Sequence, residues 1–123
     1  MTPKNIFIVD DDPMIIEFIK DRLEKTNHNI SAFSTGEECI RHIDESTDIV
    51  ILDYYLNSIH RDAVDGKQVL QFIKFKYPKI RVIMLSSREQ QGFAKETVDL
   101  GAEKYVLKDK DALNQIADLV NAS

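Results

Sequence analysis

The sequence predicts an α/β protein, a doubly wound parallel sheet of five strands in which each strand is followed by a helix, (βα)5. Three observations predict it. Five short apolar runs rich in β-branched residues recur along the chain, and several are continuous rather than alternating, as in strands covered on both faces. Amphipathic helical stripes fill the gaps between them. The runs begin at residues 5, 29, 48, 80 and 104, which leaves room each time for one helix and two short turns.

The first run, Asn5–Val9, is followed by Asp10-Asp11-Asp12. Asp12 before Pro13 is an N-cap with proline at the first helical position. Ile15, Phe18, Ile19 and Leu23 then give that helix one apolar face. The second run, Asn29–Phe33, ends in Ser34-Thr35, and a weaker stripe over about Gly36–Ser46 predicts a helix on which Cys39 packs. The third run, Asp48–Leu52, stops at Asp53. A polar stretch, Asn57–Asp65, predicts an extended loop before the stripe Val69, Leu70, Ile73 and Tyr77, which Pro78 ends. The fourth run, Ile80–Leu85, leads to Ser86-Ser87, and each serine opens a capping box, with Glu89 and Gln90, for a helix over about Gln91–Leu100. Position favours Ser87 as the cap. The fifth run, Lys104–Leu107, ends at Lys108, and Leu113, Ile116, Ala117 and Val120 stripe the last helix.

Composition narrows the function classes. The 123 residues (14.1 kDa) suit one domain, 1–123, and carry 21 acids against 16 Lys+Arg, a formal net charge of −5. That balance argues against nucleic acid or an anionic membrane as a direct partner. No apolar run approaches the ~20 residues of a membrane span, and the N-terminus lacks the form of a secretory signal, so a cytoplasmic protein is expected. The single cysteine allows no internal disulfide, His28, His42 and His60 fall in no metal-ligand spacing, and no phosphate-binding glycine loop is present. The cations Lys74, Lys76, Lys79 and Arg81 read as a solvated helix end and turn.

The acids gain meaning from topology. Right-handed crossovers bring the C-terminal ends of all five strands to one edge, where ligands of open α/β sheets bind. In the order 2-1-3-4-5 the first and third strands are neighbours, so Asp10, Asp11 and Asp53 should converge there, with Ser86 and Lys108 beyond them. Three adjacent carboxylates raise one another's pKa, so a proton or a cation must intervene, and a hard divalent ion such as Mg2+ suits them. An aspartate, a divalent cation, a lysine and a hydroxyl are the parts needed for phosphoryl transfer to a carboxylate.

The ordered motifs Ile8-Val9-Asp10-Asp11, Ile51-Leu52-Asp53, Met84-Leu85-Ser86-Ser87 and Tyr105-Val106-Leu107-Lys108 together resemble the response-regulator receiver domain of two-component signalling, a flavodoxin-like fold, over nearly the whole chain. The resemblance implies that Asp53 accepts a phosphoryl group from a sensor histidine kinase or a histidine phosphotransfer protein. It implies that Asp11 binds Mg2+ (or Mn2+) directly and Asp10 mostly through water, with Asp53 and the Tyr55 carbonyl completing the set. Ser86 and Tyr105 resemble the switch pair, and Lys108 supplies a fixed positive charge. Tyr55 and Arg88 occupy positions that influence hydrolysis of the acyl phosphate. The face of helix 4, strand 5 and helix 5 would act on an output protein or an attached effector domain.

The chain departs from that pattern in four places, one of them Ser86 for the commoner threonine, which keeps the hydroxyl and loses a methyl. Asn57 stands where a proline is usual, the stretch Ser58–Val64 lengthens the loop so that the expected glycine falls at Gly66, and Asp109 replaces a cis proline after Lys108. A cis bond before a non-proline residue costs about 3 kcal/mol, so a trans Lys108–Asp109 peptide is predicted. Two other functions compete with a phosphorylated signalling domain that is not itself an enzyme. One is a degenerate receiver that serves only for docking. The other is a haloacid-dehalogenase-type phosphatase using Asp10-Asp11-Asp12, against which stand Pro13-Met14 in place of Gly-Thr and the lack of room for a cap domain.

Overall fold

The computed structural model describes residues 3–56, 64–87 and 91–122, with 91–93 described for backbone only. The element order is β1 (Asn5–Val9), α1 (Pro13–Glu24), β2 (Asn29–Phe33), α2 (Gly36–His42), β3 (Ile49–Asp53), α3 (Gly66–Lys76), β4 (Arg81–Ser86), α4 (Gln91–Asp99), β5 (Lys104–Leu107) and α5 (Ala112–Asn121). All pairings are parallel, in the order β2-β1-β3-β4-β5. The predicted fold class is the observed one.

Alternation along the strands divides the core in two. Ile6, Ile8, Ile49, Ile51, Ile83, Leu85 and Val106 point to one face, where Ile19 and Leu23 of α1 and Ile116, Ala117 and Val120 of α5 cover them. Phe7, Val9, Val50, Leu52, Val82 and Met84 point to the other, under Cys39 of α2 and Val69, Leu70 and Ile73 of α3. Because helices cover both faces, the central strands are apolar at consecutive positions, the pattern seen in the sequence. β2 is an edge strand and mostly exposed.

Boundaries differ from expectation where local side chains intervene. β3 extends to Asp53, whose register partner is Leu85. α2 stops at His42 rather than near Ser46, because Ile43 turns extended and the Asp44 carboxylate accepts the Ser46 N–H at 2.8 Å. α4 ends at Asp99, followed by Gly101 at φ +112°, a left-handed conformation that favours glycine. Asp12 caps α1 as predicted, accepting the Met14 N–H at 3.0 Å. α3 carries a full capping box, Asp65 with Gln68.

The basic stretch is less solvated than expected. Lys74 Nζ donates to the Ile80 carbonyl at 2.5 Å, and Arg81 grips Glu103 at 2.7 Å while donating to the Leu119 carbonyl at 2.5 Å. Arg81 and Lys4, which donates to the Val120 carbonyl, thereby satisfy carbonyls at the C-terminus of α5. Buried His28 joins this clamp. A backbone N–H only donates, so the Lys4 N–H at 3.0 Å requires an unprotonated Nδ1, and Nε2–H therefore faces Asn121 Oδ1 at 3.1 Å. His28→Ala is expected to lose about 1–2 kcal/mol in urea unfolding and His28→Gln less than half of that, since an amide can replace both bonds.

Candidate phosphoacceptor and cation site

The C-terminal sheet edge collects the predicted residues. Asp10 and Asp53 are buried at the ends of the neighbouring strands β1 and β3, Asp11 is half-buried, and one carboxylate oxygen from each lies within 4.8 Å of the others. Lys108 reaches in from the end of β5, placing Nζ 2.8 Å from Asp10 Oδ2 and 3.3 Å from Asp53 Oδ1. Backbone N–H groups orient the acids: that of Asp12 donates to Asp10 Oδ1 at 2.9 Å and that of Tyr55 to Asp53 Oδ1 at 3.3 Å.

Electrostatics follow from this crowding. Burial, then the Asp10 charge, push the Asp53 carboxyl up to about 7, against the pull of Lys108 and the Tyr55 N–H. Burial also raises Asp10, although Lys108 and the Asp12 N–H act the other way. For Lys108, burial would lower the pKa, but the carboxylates of Asp10 and Asp53 outweigh it and raise it.

These residues fit a hard divalent cation. Three carboxylates face one ammonium, and buried Asp10 Oδ2 meets the Lys108 Nζ at 2.8 Å. One ammonium cannot satisfy all six carboxylate oxygens of this cluster, which leaves lone-pair capacity for a metal. A groove of about 750 Å³ at the opposite edge, lined by Lys4, Asp48, Tyr77 and Arg81 among others, is unrelated to this chemistry, since Lys4 and Arg81 are already engaged with α5.

Ser86 is fully buried at the end of β4, and the phenol of half-buried Tyr105 is hydrogen-bonded to it. Tyr55 stacks edge-on against Tyr54 with ring centroids 4.9 Å apart. Lys108 N donates to the Ser86 carbonyl at 2.8 Å, and Asp109 follows in trans geometry, as no described peptide bond is cis. The Asp109 carboxylate accepts the Asp111 N–H at 2.9 Å and so turns the chain into α5. Arg88, Glu89 and Gln90, and with them both predicted capping boxes, lie outside the described residues, as does the loop stretch up to Ala63.

Two local features were not read from the sequence. The Asp12 N–H fixes Asp10 while the Asp12 side chain caps α1, so one residue serves both. Gly66, at the start of α3, lies against the backbone that carries the acceptor: a Cβ there would meet the Asp53 carbonyl oxygen at 2.1 Å.

The parallel sheet in the order β2-β1-β3-β4-β5 thus carries an acidic cluster and a lysine at its C-terminal edge. The family model described as the response regulator receiver domain matches residues 6–121, and the chain belongs to that family. Response regulator GtcR of Aneurinibacillus migulanus is 31% identical over 115 residues, 93% of this chain and 45% of that protein. The alkaline phosphatase synthesis transcriptional regulatory protein PhoP of Bacillus subtilis is 26% identical over 106 residues, 85% of this chain and 42% of that protein. The chain thus spans less than half the length of these two relatives. In structure it is similar to the beryllofluoride-activated receiver domain of DrrB from Thermotoga maritima, with a TM-score of 0.83, 24% identity and coverage of 97% and 96% of the two chains. A CheY-like receiver from Methanospirillum hungatei gives a TM-score of 0.82 at 21% identity, covering 97% and 92%. No helix among the described residues is long and apolar enough to cross a membrane.

Proposed function

We propose that residues 1–123 act as one phosphoacceptor domain and that Asp53 is the acceptor. The observation that carries this reading is a buried carboxylate, Asp53, between a second buried carboxylate and a lysine 3.3 Å away. One Asp53 oxygen forms a bond to phosphorus as the bond to the donor's leaving group breaks, giving an acyl phosphate and the free donor. Lys108 faces the reacting oxygen and neutralises charge on the incoming group. The Ser86 hydroxyl leaves Tyr105 to donate to a phosphoryl oxygen, and the Tyr105 ring turns inward. Asp10, Asp11, Asp53 and the Tyr55 carbonyl would hold Mg2+, with Mn2+ as an alternative. That ion supplies charge neutralisation on the phosphoryl oxygens.

The donor in this reading is a sensor histidine kinase or a histidine phosphotransfer protein in the cytoplasm. The output is a partner protein or an attached effector engaging the face of α4, β5 and α5, as the names of relatives that are transcriptional regulators support. The domain is a signalling element rather than a turnover enzyme. The test is incubation with acetyl phosphate. The wild-type chain should gain one phosphoryl group only with Mg2+ present, and Asp53→Asn none; unchanged uptake by Asp53→Asn removes the proposal.

Tyr55 is half-buried and packs edge-on against Tyr54, and we propose that its ring, with Arg88, crowds the water that would hydrolyse the acyl phosphate. Tyr55→Asn is expected to speed dephosphorylation about threefold or more, followed as loss of the phosphorylated mass. An unchanged lifetime rules out this role.

A further inference from the structure

The stretch that carries the acceptor is joined to α4 by consecutive contacts. Gly66 N donates to the Tyr54 carbonyl at 3.1 Å, so the first residue of α3 is bonded to the residue after Asp53. The backbones approach closely at this join, where a Cβ on Gly66 would meet the Asp53 carbonyl oxygen at 2.1 Å. The next residue, Lys67, forms an ion pair with Glu96 of α4, each side chain 38% exposed. The pair spans a shallow cleft lined by Gln71, Lys95, Asp99 and Leu100. Tyr54 lies beside it: burial raises its phenol, with Glu96 adding to the rise and Lys67 opposing it.

Local helix electrostatics do not account for these two residues. Lys67 is a cation in the first turn of α3, which has no acid there, and Glu96 is an anion in the last turn of α4, which has no base there. Each opposes its own helix dipole. Residues that break a local rule in concert, and meet across elements, point to a role in the tertiary arrangement.

We propose that the Lys67–Glu96 pair is a tether through which the backbone around Asp53 holds α4, making Lys67 and Glu96 positioning residues for the output face. This rests on the phosphoacceptor reading for its signalling meaning, though not for the restraint itself. An exposed ion pair is too weak to hold the fold, but it is strong enough to shift a two-state helix about two- to fivefold.

Hydrogen–deuterium exchange on the full chain tests it, with peptides spanning 94–99 as the readout and β1 and β3 peptides as the control for global unfolding. Lys67→Gln and Glu96→Gln should each speed α4 exchange about two- to fivefold, and the double swap K67E/E96K should restore it. The swap favours both helix dipoles, so poor folding would not mask the result. Unchanged exchange in the single variants, or a double swap as fast as either, overturns the tether. With acetyl phosphate and Mg2+, the change in α4 exchange seen in the wild type should shrink by at least about half in Glu96→Gln, the loss expected of an ion pair of this strength. An equal response overturns the coupling to Asp53. If the wild type takes no label, the phosphoacceptor reading fails, and the charge-swap comparison still decides the tether.

Discussion

Lys108→Ala is expected to lose about 3–5 kcal/mol of stability at pH 8 without divalent ions, because it leaves two buried carboxylates without their counter-charge. Lys108 Nζ is 2.8 Å from Asp10 and 3.3 Å from Asp53, and its side chain is only 15% exposed. The loss should shrink with acid. Asp53 titrates in the folded chain at about 7, against an ordinary 3.8, so the folded state binds protons that the unfolded state does not. Stability contributed by this group therefore rises as pH falls from about 7 towards 3.8, and the penalty is fully present above 7. Removing Lys108 enlarges that penalty, so the variant should recover most of its deficit near pH 5, and Mg2+ at pH 8 should recover part of it. Urea unfolding at the two pH values reads this directly. A deficit equal at both contradicts the electrostatic account.

Gly66→Ala is the second large effect, about 3 kcal/mol or more by urea unfolding, with slower phosphoryl uptake. A Cβ at this position would lie 2.1 Å from the Asp53 carbonyl oxygen, 2.8 Å from Tyr54 Cα and 2.9 Å from the Tyr54 carbonyl oxygen. All three are backbone atoms, so no rotamer relieves the clash. Either α3 retreats and breaks the Gly66–Tyr54 hydrogen bond, or the acceptor strand shifts. The first loosens the backbone that follows Asp53, and the second displaces the carboxylate that must sit beside Lys108. A variant with wild-type stability and uptake would show that α3 and β3 are not in close register.

The same positions show what the sequence discloses. Ile49-Val50-Ile51-Leu52 announced a strand covered on both faces, because each residue takes part in one of the two cores. Asp10, Asp11 and Asp53 were legible as a cluster because parallel topology alone brings strand ends together. Asp12 before Pro13 was legible because capping is local. The end of α2 was not, since apolar Ile43 continues a plausible stripe while the Asp44 turn ends it. The engagement of Arg81 and Lys74 was also hidden, since their partners, backbone carbonyls and for Arg81 also Glu103, are brought close only by chain folding. Gly66 could be placed by resemblance, but its packing against Asp53 depends on the path back from a long loop. The Lys67–Glu96 pair joins residues 29 positions apart on two helices, and no periodicity signals such a contact.

Locating the phosphoryl group decides whether Asp53 is the acceptor. The chain is to be phosphorylated with acetyl phosphate and Mg2+, the acyl phosphate trapped by borohydride reduction, and the modified residue identified by peptide mass spectrometry. Modification at Asp53 alone, close to one equivalent per chain, is expected. Modification at Asp10 with repeated turnover, or no modification of a folded, Mg2+-loaded chain, would contradict it.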